Sequence, residues 1–482
     1  MKTTWTTATM TMAVMLAALP VSAQISVGGR PKSLTQTVKA SIQTVTTASV
    51  DHRALLAEDV IEQAKDMPYR FGQPFDVNYD LNNSGTWENL SDGSRLWRLR
   101  IESARAYSIN LIYDDFWLPD GAQFFIYNAD RSMTIGAFTS KNNKEYGQFA
   151  TALVRGDVSI LEYWEPADVS EPGRISISRI VHAYRNLFSW ATAKEALKYG
   201  GDDPEAAGFG DAGSCNNNAR CPEFAEWDDI IRSAAMITTS GGFRLCSGSM
   251  LNNVRKDKTP YFLTANHCLG GEQTWVFMFN YESAGCANVD GPTWMTVSGS
   301  TLRATRSFSD FALLELSAQP PDSYNVAYAG WNAIDVASDS VIGIHHPQGD
   351  IKKISFDFDA VTATSYLGTS VPGDNSHWRI GQWEDGTTEP GSSGSPIFNR
   401  QRQVIGQLHG GWASCTSITS DYYGKVSISW AAGSSASTRL KDWLDPDNTG
   451  VLQLNGLGAG VAITHTPLMD TQDTLNDYEV LA

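Results

Sequence analysis

The chain has 482 residues, 42% of them hydrophobic and 18% charged, which is enough apolar material for two or three folded domains and excludes a disordered chain. A formal net charge of −17 excludes a general nucleic-acid binder, since phosphate contact needs a basic face. The same charge suits a soluble exported protein that meets basic substrates.

At the N-terminus, Lys2 supplies a positive start, Ala13–Leu19 a short apolar core, and Val21-Ser22-Ala23 a small-residue cleavage site before Gln24. This is the pattern of a secretory signal peptide over 1–23, and its apolar core is too short to cross a bilayer. No later run approaches a membrane span, so the expectation is a secreted, extracellular protein. From 24 to 66 the chain is polar and rich in Thr and Ser, with a short helix expected over 54–65. Between 69 and 166 it alternates in strand fashion, as in Ser94–Ile101, Tyr107–Tyr113 and Ala122–Tyr127, with turns at Pro119-Asp120-Gly121 and Asn128-Ala129-Asp130. These runs predict a small antiparallel β-sandwich of about a hundred residues. It carries no chemistry of its own, and Trp87, Trp97, Trp117 and Trp164 read as core.

The stretch 186–211 reads as a connector, with a helix expected over 191–199 and breakers at Gly200–Pro204 and Gly208-Phe209-Gly210. All six cysteines lie beyond it, at 215, 221, 246, 268, 286 and 415. An even count in an exported chain reads as three disulfides, with the pairing left open, and neither C-x-x-C nor H-E-x-x-H is present to suggest a zinc site. The step in composition predicts a processing boundary near 210, making 24–209 a propeptide and 210–450 the mature domain. From Cys215 to Pro446 short apolar runs recur between turns, among them Tyr261–Thr264, Trp275–Phe279, Phe311–Leu316 and Val341–Ile344, which predicts an all-β barrel or sandwich. A short helix is expected over 437–444, ended by Asp445-Pro446. The stretch 451–482 has four acids and no Lys or Arg, and is expected to be a flexible tail.

Three stretches carry chemistry. Thr388–Phe398, T-E-P-G-S-S-G-S-P-I-F, crowds glycines around serines, so that a hydroxyl and nearby amides can face one reacting carbonyl. Tyr261–Cys268 is a strand ending in a histidine beside a cysteine, and Ser309–Leu316 sets an aspartate at the mouth of an apolar strand. Each alone is weak, because a Gly/Ser hairpin, a strand-end histidine and a turn aspartate are all common. Their order, His, Asp, Ser, is that of a base, the carboxylate that holds it, and a nucleophile.

These stretches resemble the chymotrypsin-fold serine peptidases, with T-A-x-H-C around the base and G-x-S-G-x-P around the nucleophile. Ile344–Pro347, Gly406–Gly411, Tyr423–Val426 and Asp442–Pro446 extend the likeness to the secreted bacterial lysyl endopeptidases, over about 213–450. The resemblance implies a double β-barrel with a short C-terminal helix, preceded by the β-rich propeptide. It makes Ser393 the nucleophile, His267 the general base and acid, Asp310 its orienting partner, and the amides of Gly391 and Ser393 the oxyanion hole. Ser392 and Ser395 are the competing serines. The resemblance also implies the pairs Cys215–Cys415, Cys221–Cys286 and Cys246–Cys268.

Two departures from trypsin are informative. Ser392 stands where trypsin keeps the aspartate that receives its new N-terminus, so control of activity is expected to lie with the propeptide as folding aid or inhibitor. Thr387 stands where trypsin keeps its substrate-reading aspartate. Asp421, on the opposite wall, matches the acid of the lysyl endopeptidases and would bind an ammonium or guanidinium. His409 is implied to flank the triad, with Tyr366 in the place of the family's tryptophan. His345 and His346 read as structural, and His52, His182, His377 and His465 carry no signal.

The expected protein is therefore a monomeric secreted serine endopeptidase acting after lysine through an acyl-enzyme, with cleavage after arginine left open. It needs no cofactor or metal, and its partners are peptides with basic side chains and its own propeptide. A glutamyl-specific relative and a catalytically silent β-rich adhesin are the alternatives. An acidic pocket opposes the first and a complete triad the second.

Overall fold

A computed structural model describes residues 26–63, 68–187, 210–239, 241–417 and 419–458. The expected signal peptide, the helix over 191–199 and the tail beyond 458 lie outside these residues. Alternating apolar side chains build two facing sheets in the N-terminal unit. In Arg95–Glu102, for example, Trp97, Leu99 and Ile101 are buried while Arg98, Arg100 and Glu102 between and beyond them stay partly exposed. One sheet runs Gln43–Thr46, Arg95–Glu102, Val158–Glu165, Gln123–Asn128, Thr134–Phe138 in space, with Thr86–Asn89 beside the second strand. The other runs Val154–Arg155, Ser108–Trp117, Arg174–Ala183, Gly72–Asp80.

The sandwich is larger than the 69–166 expected from sequence. Arg174–Ala183 pairs on both sides, with Ser108–Trp117 and Gly72–Asp80, so a cut at 166 would leave the second sheet without its central strand. Of the four tryptophans read as core, Trp97 is fully buried, whereas Trp87, Trp117 and Trp164 are half-buried beneath Arg95, Arg174 and Lys32. The helix His52–Gln63 falls where a helix is expected. Its Asp59 receives both Arg70 and Arg185, at 2.7 and 2.6 Å.

The remainder forms the double β-barrel. The first barrel orders Thr296–Ser298, Val276–Phe279, Ala234–Thr239, Arg244–Leu251, Tyr261–Ala265, Phe311–Leu316 and Ser300–Arg306 around Phe262, Phe277 and Leu314. The second orders Asn217–Asn218, Lys353–Asp357, Val341–His345, Pro396–Phe398, Gln403–Gly411, Asp421–Lys425, His377–Ile380 and Thr362–Thr364. A separate cluster, including Leu263, Phe311, Ile344, Val404 and Trp331, joins the barrels and receives Trp430, Leu440 and Leu444 from the C-terminal segment. The expected helix over 437–444 is two short turns, Ala436–Thr438 and Lys441–Leu444, because Arg439 between them is extended. The expected tail begins inside the fold, since Gln453–Leu454 pairs with Trp331-Asn332.

The two units share structure. Tyr69–Arg70 adds antiparallel to Arg244-Leu245 of the first barrel. Tyr69, Phe71, Val181 and Leu187 pack with Leu245, Met278, Tyr281 and Ile351 in one buried cluster. No helix among the described residues is long and apolar enough to cross a membrane.

Candidate active site

The strand Tyr261–Ala265 delivers His267 on the turn that follows it, and Asp310 immediately precedes the neighbouring strand Phe311–Leu316. Because the strands pair with Ala265 opposite Phe311, the two residues meet at one end of the first barrel. Asp310 sits in the left-handed region with φ of 50°, which aspartate tolerates better than most residues. Its Oδ1 accepts the His267 backbone N–H at 2.9 Å, and its Oδ2 lies 2.8 Å from His267 Nδ1. The Asp310 side chain is buried, whereas His267 keeps about a fifth of its side chain exposed. The second barrel holds this corner: Gln407 Nε2 donates to Ser309 O at 2.7 Å, and Gly424 lies so close to that carbonyl that a Cβ there would overlap it.

The serine loop belongs to the second barrel and leans on the first. A Cβ on Gly394, whose φ is 81°, would run into Thr264, Ser247 and Ala265. Ser393 O accepts the Ser247 amide at 2.7 Å and lies 4.0 Å from Cys268 Sγ, beside His267 in the chain. Ser393 is the one partly exposed residue of 391–399. Ser392 and Ser395 are fully buried, and Ser392 Oγ is 2.8 Å from His345 Nδ1. His345 in turn reaches Ser355, whose hydroxyl donates to Thr387 O, and burial holds the ring's pKa down at about 3. The rival serines are thus locked away from solvent.

Peptide planarity orients the loop's free amides. Pro390 O accepts the Gln348 amide at 2.6 Å, so the antiparallel N–H of Gly391 points the opposite way. Ser392 O accepts the Ser395 amide at 2.9 Å, which turns the Ser393 N–H outward by the same rule. The amides of Ser392, Gly394 and Ser395 each donate to a carbonyl, and among the described residues those of Gly391 and Ser393 donate to none.

Asp421 opens the strand Asp421–Lys425, paired opposite Gly411. Its carboxylate is 1% exposed and accepts Thr388 Oγ1 at 2.6 Å and Trp383 Nε1 at 2.7 Å, both on Oδ2. A Cβ on Gly411 would collide with its Oδ1, so glycine there leaves that oxygen room. Burial pushes the pKa up to about 6, against the opposing pull of Thr388, Trp383 and the Ala413 backbone.

His409 lies near the end of the strand Gln403–Gly411 and nearly parallel to His267, with ring centroids 5.6 Å apart. Tyr366 stacks on His409 at 3.6 Å and 12°. His409 Nε2 is 3.7 Å from Asp310 Oδ2, and its Nδ1 is 2.9 Å from His377 Nε2. Ligand atoms of His267, Asp310 and His409 lie within 4.8 Å of one another. Both histidines aim a ring nitrogen at the same carboxylate oxygen, His267 within hydrogen-bond distance and His409 beyond it. The disulfide Cys246–Cys268 anchors the residue next to His267, and Cys215–Cys415 and Cys221–Cys286 complete the set.

Residues 209–424 match the family model of the lysyl endopeptidase C-terminal domain. The lysyl endopeptidase of Pseudomonas aeruginosa is 28% identical over 369 residues, covering 71% of this chain and 75% of that protein. The chain is lysyl endopeptidase-like. Solved structures include a serine endoprotease from Yersinia pestis (15% identity, TM-score 0.30, 42% of this chain and 62% of that one). Another is a thermostable serine protease from an extremophilic microorganism (14%, TM-score 0.29, 40% and 89%). The double barrel is read from the sheets themselves, not from these slight overlaps.

Sequence reasoning for this lysyl endopeptidase-like chain missed four contributors. Trp383 and Thr388 hold Asp421, Ser247 holds the serine loop through both Ser393 O and Gly391 O, and His377 bonds to His409. Thr388 opens the serine stretch, yet nothing in that stretch ties it to Asp421. The other three lie in no motif and arrive by sheet register. The doublet His377-Trp378 at the start of a strand run is the sole trace of the last.

Proposed function

We propose that the mature protein is a secreted serine endopeptidase that cleaves after lysine and accepts arginine. His267 takes the Ser393 Oγ proton as that oxygen attacks the scissile carbonyl, and the amides of Gly391 and Ser393 bind the resulting oxyanion. His267 then gives its proton to the leaving amine, and water hydrolyses the acyl-enzyme by the reverse assistance. Asp310 holds the imidazole with Nδ1 protonated, so that Nε2 is the base. The oxyanion donors contribute about 3 kcal/mol each to transition-state stabilisation.

The single observation that carries the specificity is Asp421, a buried carboxylate whose pKa is raised to about 6 by desolvation. An arriving ammonium restores the lost solvation, and an acidic side chain would meet repulsion. Export is supported by the three disulfides. A folding-aid role for 24–209 is supported by its packing: Tyr69 and Leu187 lie against Gly349, and the loop 346–349 is what Gly391 rests on. The test is hydrolysis of peptides that differ only in Lys, Arg, Glu or Phe before the scissile bond, with wild type and Asp421→Asn. Lys preference lost in the variant, with labelling of Ser393 by a small sulfonyl fluoride retained, is expected. Preference for Glu in the wild type would overturn the role of Asp421.

A further inference from the structure

We propose that His377, oriented by Ser376 and Asp374, is a positioning residue that fixes the tautomer of His409 and so leaves Asp310 to His267. The inference rests on the triad reading above. The proton positions follow from the outside inward. Asp374 is at the surface; desolvation is the largest single effect on its carboxyl, but the hydrogen bonds from the Ser376 hydroxyl and amide and from Ser365 together outweigh it and hold the group below its usual range. An ionised carboxylate only accepts, so Ser376 Oγ–H donates to Asp374 Oδ1 at 2.6 Å. That hydroxyl has one proton, so toward His377 Nδ1, also at 2.6 Å, it accepts, and Nδ1 carries the hydrogen.

His377 is 1% exposed, and burial, helped by His409 and opposed by Asp310 and Asp374, lowers its pKa to about 4. The ring is neutral at working pH, and its Nε2 is a lone pair that accepts His409 Nδ1–H at 2.9 Å. His409, likewise lowered to about 4 by burial, then presents a bare Nε2 to Asp310 Oδ2 at 3.7 Å. A bare nitrogen cannot donate, so the hydrogen bond to Oδ2 comes from His267 Nδ1 at 2.8 Å. In the opposite tautomer His409 would place an N–H on the same oxygen and draw on the charge that stabilises the His267 imidazolium. The groups facing His409 are His267, Asp310, His377 and the ring of Tyr366, with Asp374 acting through Ser376.

Two measurements test this. Nitrogen–proton correlation spectra of ¹⁵N-histidine-labelled full-length protein at neutral pH should show the His409 proton on Nδ1, and a proton on Nε2 would overturn the proposal. His377→Leu removes the acceptor; kcat should fall about tenfold with KM little changed, and the acid limb of kcat/KM should move down by about one pH unit. His377→Gln keeps an acceptor oxygen and should restore most of the rate and the limb. Equal impairment of both variants with an unmoved acid limb would assign His377 a merely structural part and contradict the proposal. Hydrolysis by Ser393→Ala would sink the triad reading separately, whereas the spectra report the hydrogen-bond chain whether or not the protein turns over.

Discussion

In the proposed specificity role, Asp421 would couple substrate choice to stability in one side chain. Its carboxyl titrates near 3.8 when unfolded and at about 6 in the fold, so the folded state prefers the protonated form. The destabilisation is absent below pH 3.8, grows between 3.8 and 6, and is then constant at about 3 kcal/mol, from the shift of roughly two units. Asp421→Asn should therefore raise the melting temperature at pH 8 and not at pH 3.5, while lowering kcat/KM on Lys peptides at least about a hundredfold. Thermal melts at the two pH values check the first part. Ionisation also sets binding: affinity for an alkylammonium inhibitor should weaken about tenfold per pH unit below about 6, while a neutral isostere binds without pH dependence. Inhibition constants from about pH 4.5 to 8 would show it, and parallel profiles for the two compounds would count against the assignment. Asp421 itself was legible only through its neighbours Tyr423–Val426; its partners Trp383 and Thr388 were not, because 38 and 33 residues separate them from it and only the sheet brings them together.

At the scale of elements, the site exists because two barrels press on each other through glycines. Gly424 and Gly394 are the clearest cases, one against Ser309 O and the other against Thr264 and Ala265. Gly424→Ala should displace Ser309 and with it Asp310, lowering kcat more than KM and destabilising the fold by about 2–3 kcal/mol. Steady-state kinetics and denaturant unfolding measure both; unchanged kcat would show that Asp310 is held by other means. The strands bearing His267 and Asp310 could be read from sequence because unbroken apolar runs mark them. Arg174–Ala183 could not: a register shift between Ile177 and Arg179 moves its buried face out of phase, from Ile175 and Ile177 to Ile180. The pair at Gln453–Leu454 was hidden by the Gly-rich composition around it.

The whole molecule joins the N-terminal sandwich to the first barrel through a shared strand pairing and a buried apolar cluster. A two-barrel unit without that cover exposes Leu245, Met278 and Ile351, so residues 210–458 should refold poorly alone and gain yield when 24–209 is supplied in trans. Recovered activity after dilution from denaturant measures this, and equal yields would leave the sandwich without a folding role. Lysine-directed serine catalysis itself is tested most directly by kcat/KM for matched peptides bearing Lys, Arg, Glu or Phe before the scissile bond. Lys and Arg should be cleaved far faster than Phe, Glu not at all, and Ser393→Ala should lose all activity. Equal activity in Ser393→Ala, or preference for Glu, would contradict it.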